Sequence, residues 1–187
     1  MPSRTQIVCL HEGVAGRSID PVFINTLVKA LSPAWLRPWP GSNALRLVAC
    51  GERPRLIRRM PDEVRACLAT GSQTALAVWA DLDDDMPDGE TLRREFWAEA
   101  EARGISRKEF ERVVFVFAKD RLENWVQFLN EGHTDESREG PRVRHPREAA
   151  DAARRLAQMC GEGRQAGLPP SLAWSCRNWI ALRERMA

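Results

Sequence analysis

Four aspartates occur within five positions directly after an apolar segment, residues 75–80: Asp81, Asp83, Asp84 and Asp85. Side chains alternate along a β-strand, so Asp81 and Asp83 are predicted to project from the same face. Two like charges about 4 Å apart repel by about 1 kcal/mol in water and by about 4 kcal/mol at an effective dielectric constant of about 20. A cation relieves this repulsion, and Mg²⁺, Mn²⁺ and Ca²⁺ prefer oxygen ligands. The spacing therefore predicts a divalent-cation site.

Two further acidic residues occupy comparable positions in the chain. Glu12 follows the first predicted strand, and Glu123 lies just beyond the fourth. In parallel α/β sheets, sites form beyond the carboxyl ends of the strands. We therefore expect both glutamates to converge with the aspartates, and Glu12 to lie within about 10 Å of Asp81, as bridging ions require.

The elements that must position these residues alternate between strands and helices, which predicts an α/β fold with a mostly parallel sheet flanked by helices. The third and fourth strands are apolar throughout, as expected for strands that are covered on both faces. The predicted strands are Gln6 to Leu10, Leu45 to Cys50, Thr74 to Ala80 and Val113 to Ala118.

Capping signals and prolines set the predicted helix bounds. Asp20-Pro21 starts the first helix and Ser32-Pro33 ends it, whereas Pro61 is predicted to break a later helix into two pieces. Residues 131–146 show no period and are predicted to be a mobile loop. Residues 1–130 are predicted to form a catalytic core, with the loop and C-terminal helices of 131–187 packed on it as a helical extension.

Composition indicates an ordinary globular chain. Of 187 residues, 43% are hydrophobic and 29% are charged, with a net charge of +2. No apolar run approaches the roughly 18 residues of a membrane span, and no signal peptide is evident, so we expect a cytoplasmic protein without a membrane partner. The chain has no P-loop and no G-x-G-x-x-G, which argues against nucleotide binding of those kinds. Three of its five cysteines, Cys9, Cys50 and Cys67, are predicted to be reduced core thiols.

The order of these motifs resembles the TOPRIM fold of topoisomerases, primases and OLD-family nucleases. The matching residues are Glu12-Gly13 after the first strand and Asp81-Leu82-Asp83 after the third. Leu122-Glu123-Asn124-Trp125 and Pro170-Ser171-Leu172 extend the resemblance to small stand-alone TOPRIM proteins related to the OLD nucleases. The turn before Asp20, which would match the family's acidic helix start, is longer than the usual pattern.

The resemblance implies a nuclease that depends on Mg²⁺ or Mn²⁺ and acts on nucleic acid, DNA in preference to RNA, with a role in phage defence. Glu12 would be a general acid/base or a metal ligand, and Asp81 and Asp83 would hold the ion. Glu123 would complete a second metal site, and Lys119 would steady the phosphate charge. Two such ions about 3.5–4 Å apart can stabilise both the attacking and the leaving oxygen.

Three alternatives stay open. The first is a non-catalytic TOPRIM-like subunit that binds nucleic acid beside a separate ATPase. The second is a phosphatase of the haloacid-dehalogenase type, although that family carries its Asp-x-Asp on the first strand rather than the third. The third is a solvated acidic loop in which an aspartate such as Asp88 only caps the following helix.

Overall fold

The computed structural model describes residues 6–14, 16, 18–31, 45–71, 74–161 and 166–186, without side chains at 161, 179 and 181–186. Four parallel strands form one sheet in the order β2-β1-β3-β4, and helices flank it, which confirms the predicted α/β class. The strands are β1 (Gln6–His11), β2 (Leu45–Ala49), β3 (Thr74–Leu82) and β4 (Val114–Lys119). The helices are α1 (Asp20–Leu31), α2 (Arg53–Thr70), α3 (Gly89–Ala102), α4 (Arg107–Phe110), α5 (Leu122–Glu131), α6 (Pro146–Gly161) and α7 (Pro170–Met186).

Each face of the sheet has its own hydrophobic core. Along β3, Ala77 and Trp79 pack toward α1, α5 and α6, whereas Val78 and Ala80 pack toward α2 and α3. This double cover explains why β3 is apolar at successive positions. Asp81 continues the alternation on the Trp79 side, so its side chain lies on the α1 face.

The helix α7 covers the outer edge of β4. The Ser175 hydroxyl accepts a hydrogen bond from Phe117 N at 3.0 Å and donates one to Phe117 O at 3.1 Å. Asn178 Nδ2 donates to Phe115 O at 2.8 Å. Side chains thus satisfy backbone groups that an edge strand otherwise leaves open to another chain.

The predicted break at Pro61 is wrong, because α2 runs from Arg53 to Thr70 without interruption. Proline in a helix removes one backbone hydrogen bond, which costs roughly 3 kcal/mol. Here the turns on both sides are anchored on the sheet by the buried side chains of Leu56, Met60 and Val64. Tertiary packing therefore outweighs the local cost. The predicted helix end at Ser32-Pro33 lies outside the described residues.

The segment between α5 and α6 has neither helix nor strand, as its composition predicts, but it is tied to the fold. Asn124 Nδ2 donates to Arg138 O at 3.0 Å. The backbone at Gly140 approaches α5 so closely that a Cβ there would lie 2.8 Å from Asn124 N. The mobility of this loop stays a prediction, while its path along the start of α5 is defined.

Two of the segments on which the TOPRIM resemblance rests, residues 122–125 and 170–172, are in contact with each other and with this loop. Trp125 Nε1 donates to Ser171 Oγ at 2.8 Å, and both side chains are buried. The Ser171 hydroxyl in turn hydrogen-bonds to Glu136 of the loop. In the described part of the chain, none of the helices is long and apolar enough to cross a membrane.

Candidate functional site

Four carboxylates from four different segments line one cavity of about 460 Å³ at the carboxyl ends of the strands. Glu12 follows β1, Asp20 begins α1, Asp81 lies near the end of β3, and Glu123 is in the first turn of α5. Three of the four predicted metal ligands, Glu12, Asp81 and Glu123, are therefore brought together. Their convergence follows from the parallel sheet, which collects strand ends at one edge.

Glu12 and Asp81 are in direct contact. The backbone N of Asp81 donates to Glu12 Oε2 at 3.2 Å, and the backbone N of Glu12 donates to Trp79 O at 3.2 Å. The predicted separation of less than about 10 Å between Glu12 and Asp81 is met in the structure. Burial raises the pKa of the Glu12 carboxyl, against an opposing effect of the hydrogen bond from Asp81 and of the nearby Arg53 guanidinium.

Asp81 has the least favourable electrostatic surroundings of this group. Burial raises its pKa well above the usual range, and the carboxylates of Asp20, Glu12 and Glu123 raise it further. These three carboxylates, a further contribution from Asp83 and the loss of water all disfavour its ionised form. A bound cation would reverse this balance, because it favours the charged form of every carboxylate around it.

Glu123 completes the cavity from the side of α5. Burial raises the pKa of its carboxyl, and Asp20 adds to this effect, whereas its own backbone N–H and Arg121 lower it. The pKa values of Glu12, Asp81 and Glu123 are therefore all raised, in each case chiefly by burial.

Asp20 lines the cavity from the start of α1, at the end of the turn that follows β1. Gly13 packs so tightly against this turn that a Cβ there would clash with Ser18 and lie 2.6 Å from Asp20 Oδ2. Ser18 Oγ is buried in the cavity wall and has no hydrogen-bond partner among the residues that the structure describes. His11 is buried behind this turn, where burial lowers its pKa and Asp20 raises it. The Asp-Pro helix start identified the end of this turn from the sequence, but not its place in the cavity.

Two arginines supply positive charge at the cavity. Arg121 precedes α5 and forms an ion pair with Glu139, and Arg142 lies on the loop before α6. Val143, next to Arg142, packs on the core and fixes the backbone there. In the sequence, Arg142 belongs to a basic group with Arg144 and Arg147 that could track a phosphate backbone or be a solvated face, whereas no pattern marks Arg121.

Asp83, the fourth predicted metal ligand, is not among the residues that line the cavity. The strand ends at Leu82, and the chain turns so that Met86 N donates to Asp83 O at 2.9 Å. The Asp83 carboxylate is 61% exposed and forms an ion pair with Arg53. Asp85 pairs with the same guanidinium at 3.3 Å. The prediction that Asp81 and Asp83 share a face assumed that the strand continues to Asp83, but β3 ends one residue before it.

Lys119, the predicted phosphate ligand, holds the same turn. Its Nζ donates to Asp83 O and to Met86 O, both at 3.0 Å. It is not one of the residues that line the cavity. In this arrangement the ammonium group ties the turn after β3 to the end of β4.

The carboxylate oxygens of this cavity suit a partly hydrated ion better than an ion held by protein ligands alone. Among the residues that the structure describes, no group of three or more His, Cys, Asp and Glu side chains could hold a metal ion. A fully protein-ligated ion is therefore not preassembled in that part of the chain. Mg²⁺, in contrast, is commonly bound by one or two carboxylates and keeps several waters, and the hard oxygens of this cavity suit it.

Comparison of the chain with protein-family models, with curated proteins and with solved structures found no match in any of the three.

Proposed function

We propose that this chain is a nuclease of the TOPRIM type that depends on Mg²⁺ or Mn²⁺ and cleaves phosphodiester bonds in nucleic acid, DNA in preference to RNA. The observation that carries the proposal is the convergence of Glu12, Asp20, Asp81 and Glu123 on one cavity. Burial raises the pKa of three of these carboxyls, so their ionised forms are unfavourable unless a cation binds beside them. Carboxyls perturbed in this way are typical of functional sites.

The different surroundings of the carboxylates support different roles in the proposed reaction. Asp81 and Glu123 are the proposed ligands of the ion, which when bound would stabilise negative charge on the reacting phosphate oxygens. Glu12 has a raised pKa and a fixed orientation through the Asp81 N–H, so it is suited to accept the proton of an attacking water. Asp20, at the start of α1, is a further oxygen donor.

The arginines at the cavity give the site its affinity for phosphate. Arg121 and Arg142 flank the carboxylates, and guanidinium groups bind phosphate oxygens through paired hydrogen bonds. Without a cation the four carboxylates repel a phosphodiester, so nucleic acid and metal should bind together rather than singly.

The test is cleavage by the purified protein. Plasmid, single-stranded DNA and RNA are incubated with Mg²⁺, with Mn²⁺ and with a chelator, and products are resolved on gels. We expect cleavage that needs the ion and that falls by about 10²-fold or more in Asp81→Asn and in Glu12→Gln. Asp84→Asn is the matched control, because it removes an exposed carboxylate of the same segment.

The variants must keep the wild-type fold by circular dichroism for this comparison to count. Intact substrates under every condition would contradict an enzyme that acts alone. Cleavage that appears only when a partner ATPase is added would instead support the alternative of a TOPRIM-like binding subunit within an ATPase complex.

A further inference from the structure

Two thiols that are far apart in the sequence are in contact in the C-terminal helices. Cys160 Sγ lies 3.7 Å from Cys176 Sγ, within hydrogen-bonding range for sulfur. Cys160 is in the last turn of α6, one residue before that helix ends, and Cys176 is in the middle of α7. A helix end has fewer backbone hydrogen bonds than its middle and can adjust more easily.

The two thiols differ in access. Cys160 is half-buried and reachable from solvent, whereas Cys176 is 2% exposed and packs in the core below α7. The contact with Cys160 and burial both raise the pKa of Cys176. Cys160 is thus the sulfur that a dissolved reagent meets first, and Cys176 is the sulfur enclosed behind it.

We propose that Cys160 and Cys176 form an oxidisable dithiol, a modification site at which a peroxide or a small-molecule disulfide converts the pair into an intramolecular disulfide. With hydrogen peroxide, the Cys160 thiolate attacks one peroxide oxygen and becomes a sulfenic acid, releasing hydroxide, which takes up the thiol proton to give water. Cys176 then attacks the Cys160 sulfur, an S–S bond forms, and a second water leaves. Two electrons pass from the dithiol to the peroxide.

The other cysteines do not share this arrangement. Cys9 is fully buried in β1, whereas Cys50, just before α2, and Cys67, within α2, are buried on the opposite face of the sheet. Burial raises the pKa of Cys9 to about 12 and that of Cys67 to about 11. These three thiols are not part of the Cys160–Cys176 contact and serve as internal controls.

The crosslink would join two helices that support the rest of the fold. The helix α7 holds the loop through Ser171 and the edge of β4 through Ser175. The helix α6 packs against α1 and α5, which carry Asp20 and Glu123. A disulfide that closes a loop of roughly 15 residues should raise Tm by roughly 5–10 °C for a chain of this size.

The experiment treats the whole chain with hydrogen peroxide and, separately, with oxidised glutathione. We expect the intact mass to fall by two hydrogen atoms, peptide mapping to link the two cysteines, and Tm to rise and then return on reduction. Cys160→Ser and Cys176→Ser should each lose the crosslink, and Cys67→Ser should keep it. In Cys176→Ser, glutathione should stay attached to Cys160.

Oxidation of Cys160 to a sulfinic acid, or its stable glutathionylation in the wild-type chain, would overturn the proposal, because Cys176 would then have failed to resolve it. A crosslink that involves Cys9, Cys50 or Cys67 in the folded protein, or no crosslink at all, would overturn it equally. None of these outcomes depends on whether the chain is a nuclease.

Discussion

Asp81 and Asp83 are two residues apart, yet their surroundings are opposite. Asp81 is half-buried at the end of β3, where Asp20 and Glu12 oppose its charge. Asp83 is exposed in the following turn, where Arg53 neutralises it. The first arrangement costs free energy because the charge loses water and faces other carboxylates, and the second is weakly stabilising.

The comparison separates two reasons for keeping an aspartate. The pair of Asp83 with Arg53 ties the turn after β3 to the start of α2, so structure alone accounts for it. Among the described residues, no packing contact accounts for Asp81, since a neutral side chain of the same size would avoid the repulsion. Groups placed at such a cost are typical of functional sites.

The sharpest way to break this comparison is to remove the charge of Asp81. We expect Asp81→Asn to raise the free energy of unfolding at neutral pH, without divalent ions, by roughly 0.5–2 kcal/mol, the usual range for a single stabilising substitution. The same change should abolish cleavage. Chemical denaturation in the presence of a chelator measures the stability. An Asn variant that is less stable than the wild type would mean that the Asp81 carboxylate has a structural partner.

The pH dependence of stability tests the same repulsion in the wild-type chain. The folded pKa of Asp81 lies above its unfolded value of about 3.9, so folding takes up a proton between the two values. The free energy of unfolding therefore falls as pH rises through this window and levels off above it. In Asp81→Asn, the free energy of unfolding should decrease less with rising pH. In the wild-type chain, millimolar Mg²⁺ should offset the decrease by binding the folded state. A fall of equal size in the variant would assign the effect to other groups.

The sequence predicted the sheet better than the site, and the reason is physical. Continuous apolar runs such as residues 113–118 report burial on both faces, which is a local property of the chain. The place of Asp20 and Arg142 beside the cavity depends on how a turn and a loop fold back, which no local pattern encodes. Pro61 shows the converse, since a strong local signal was overruled by packing.

Substitution of an arginine at the cavity tests whether that side chain contacts phosphate. Arg142→Ala should raise the Kd for nucleic acid about tenfold at low salt and lower its salt dependence, because one phosphate contact is lost. Arg144→Ala is the matched control, since Arg144 is an exposed arginine two residues on that is not among the residues lining the cavity. Equal effects of the two changes, measured by fluorescence anisotropy with a labelled oligonucleotide, would indicate general electrostatic attraction rather than a specific contact.

The smallest effect is expected from a change at Asp83, the exposed aspartate of the compared pair. Asp83→Asn removes an exposed partner of Arg53, which keeps its ion pair with Asp85, and should lower the free energy of unfolding by less than about 1 kcal/mol. The loss should shrink further in high salt, because exposed charges are screened. Cleavage should change by only a few fold, since Asp83 lies outside the cavity lining. A loss of cleavage as large as that of Asp81→Asn would place Asp83 among the metal ligands after all, and would mean that Arg53 releases it when the ion binds.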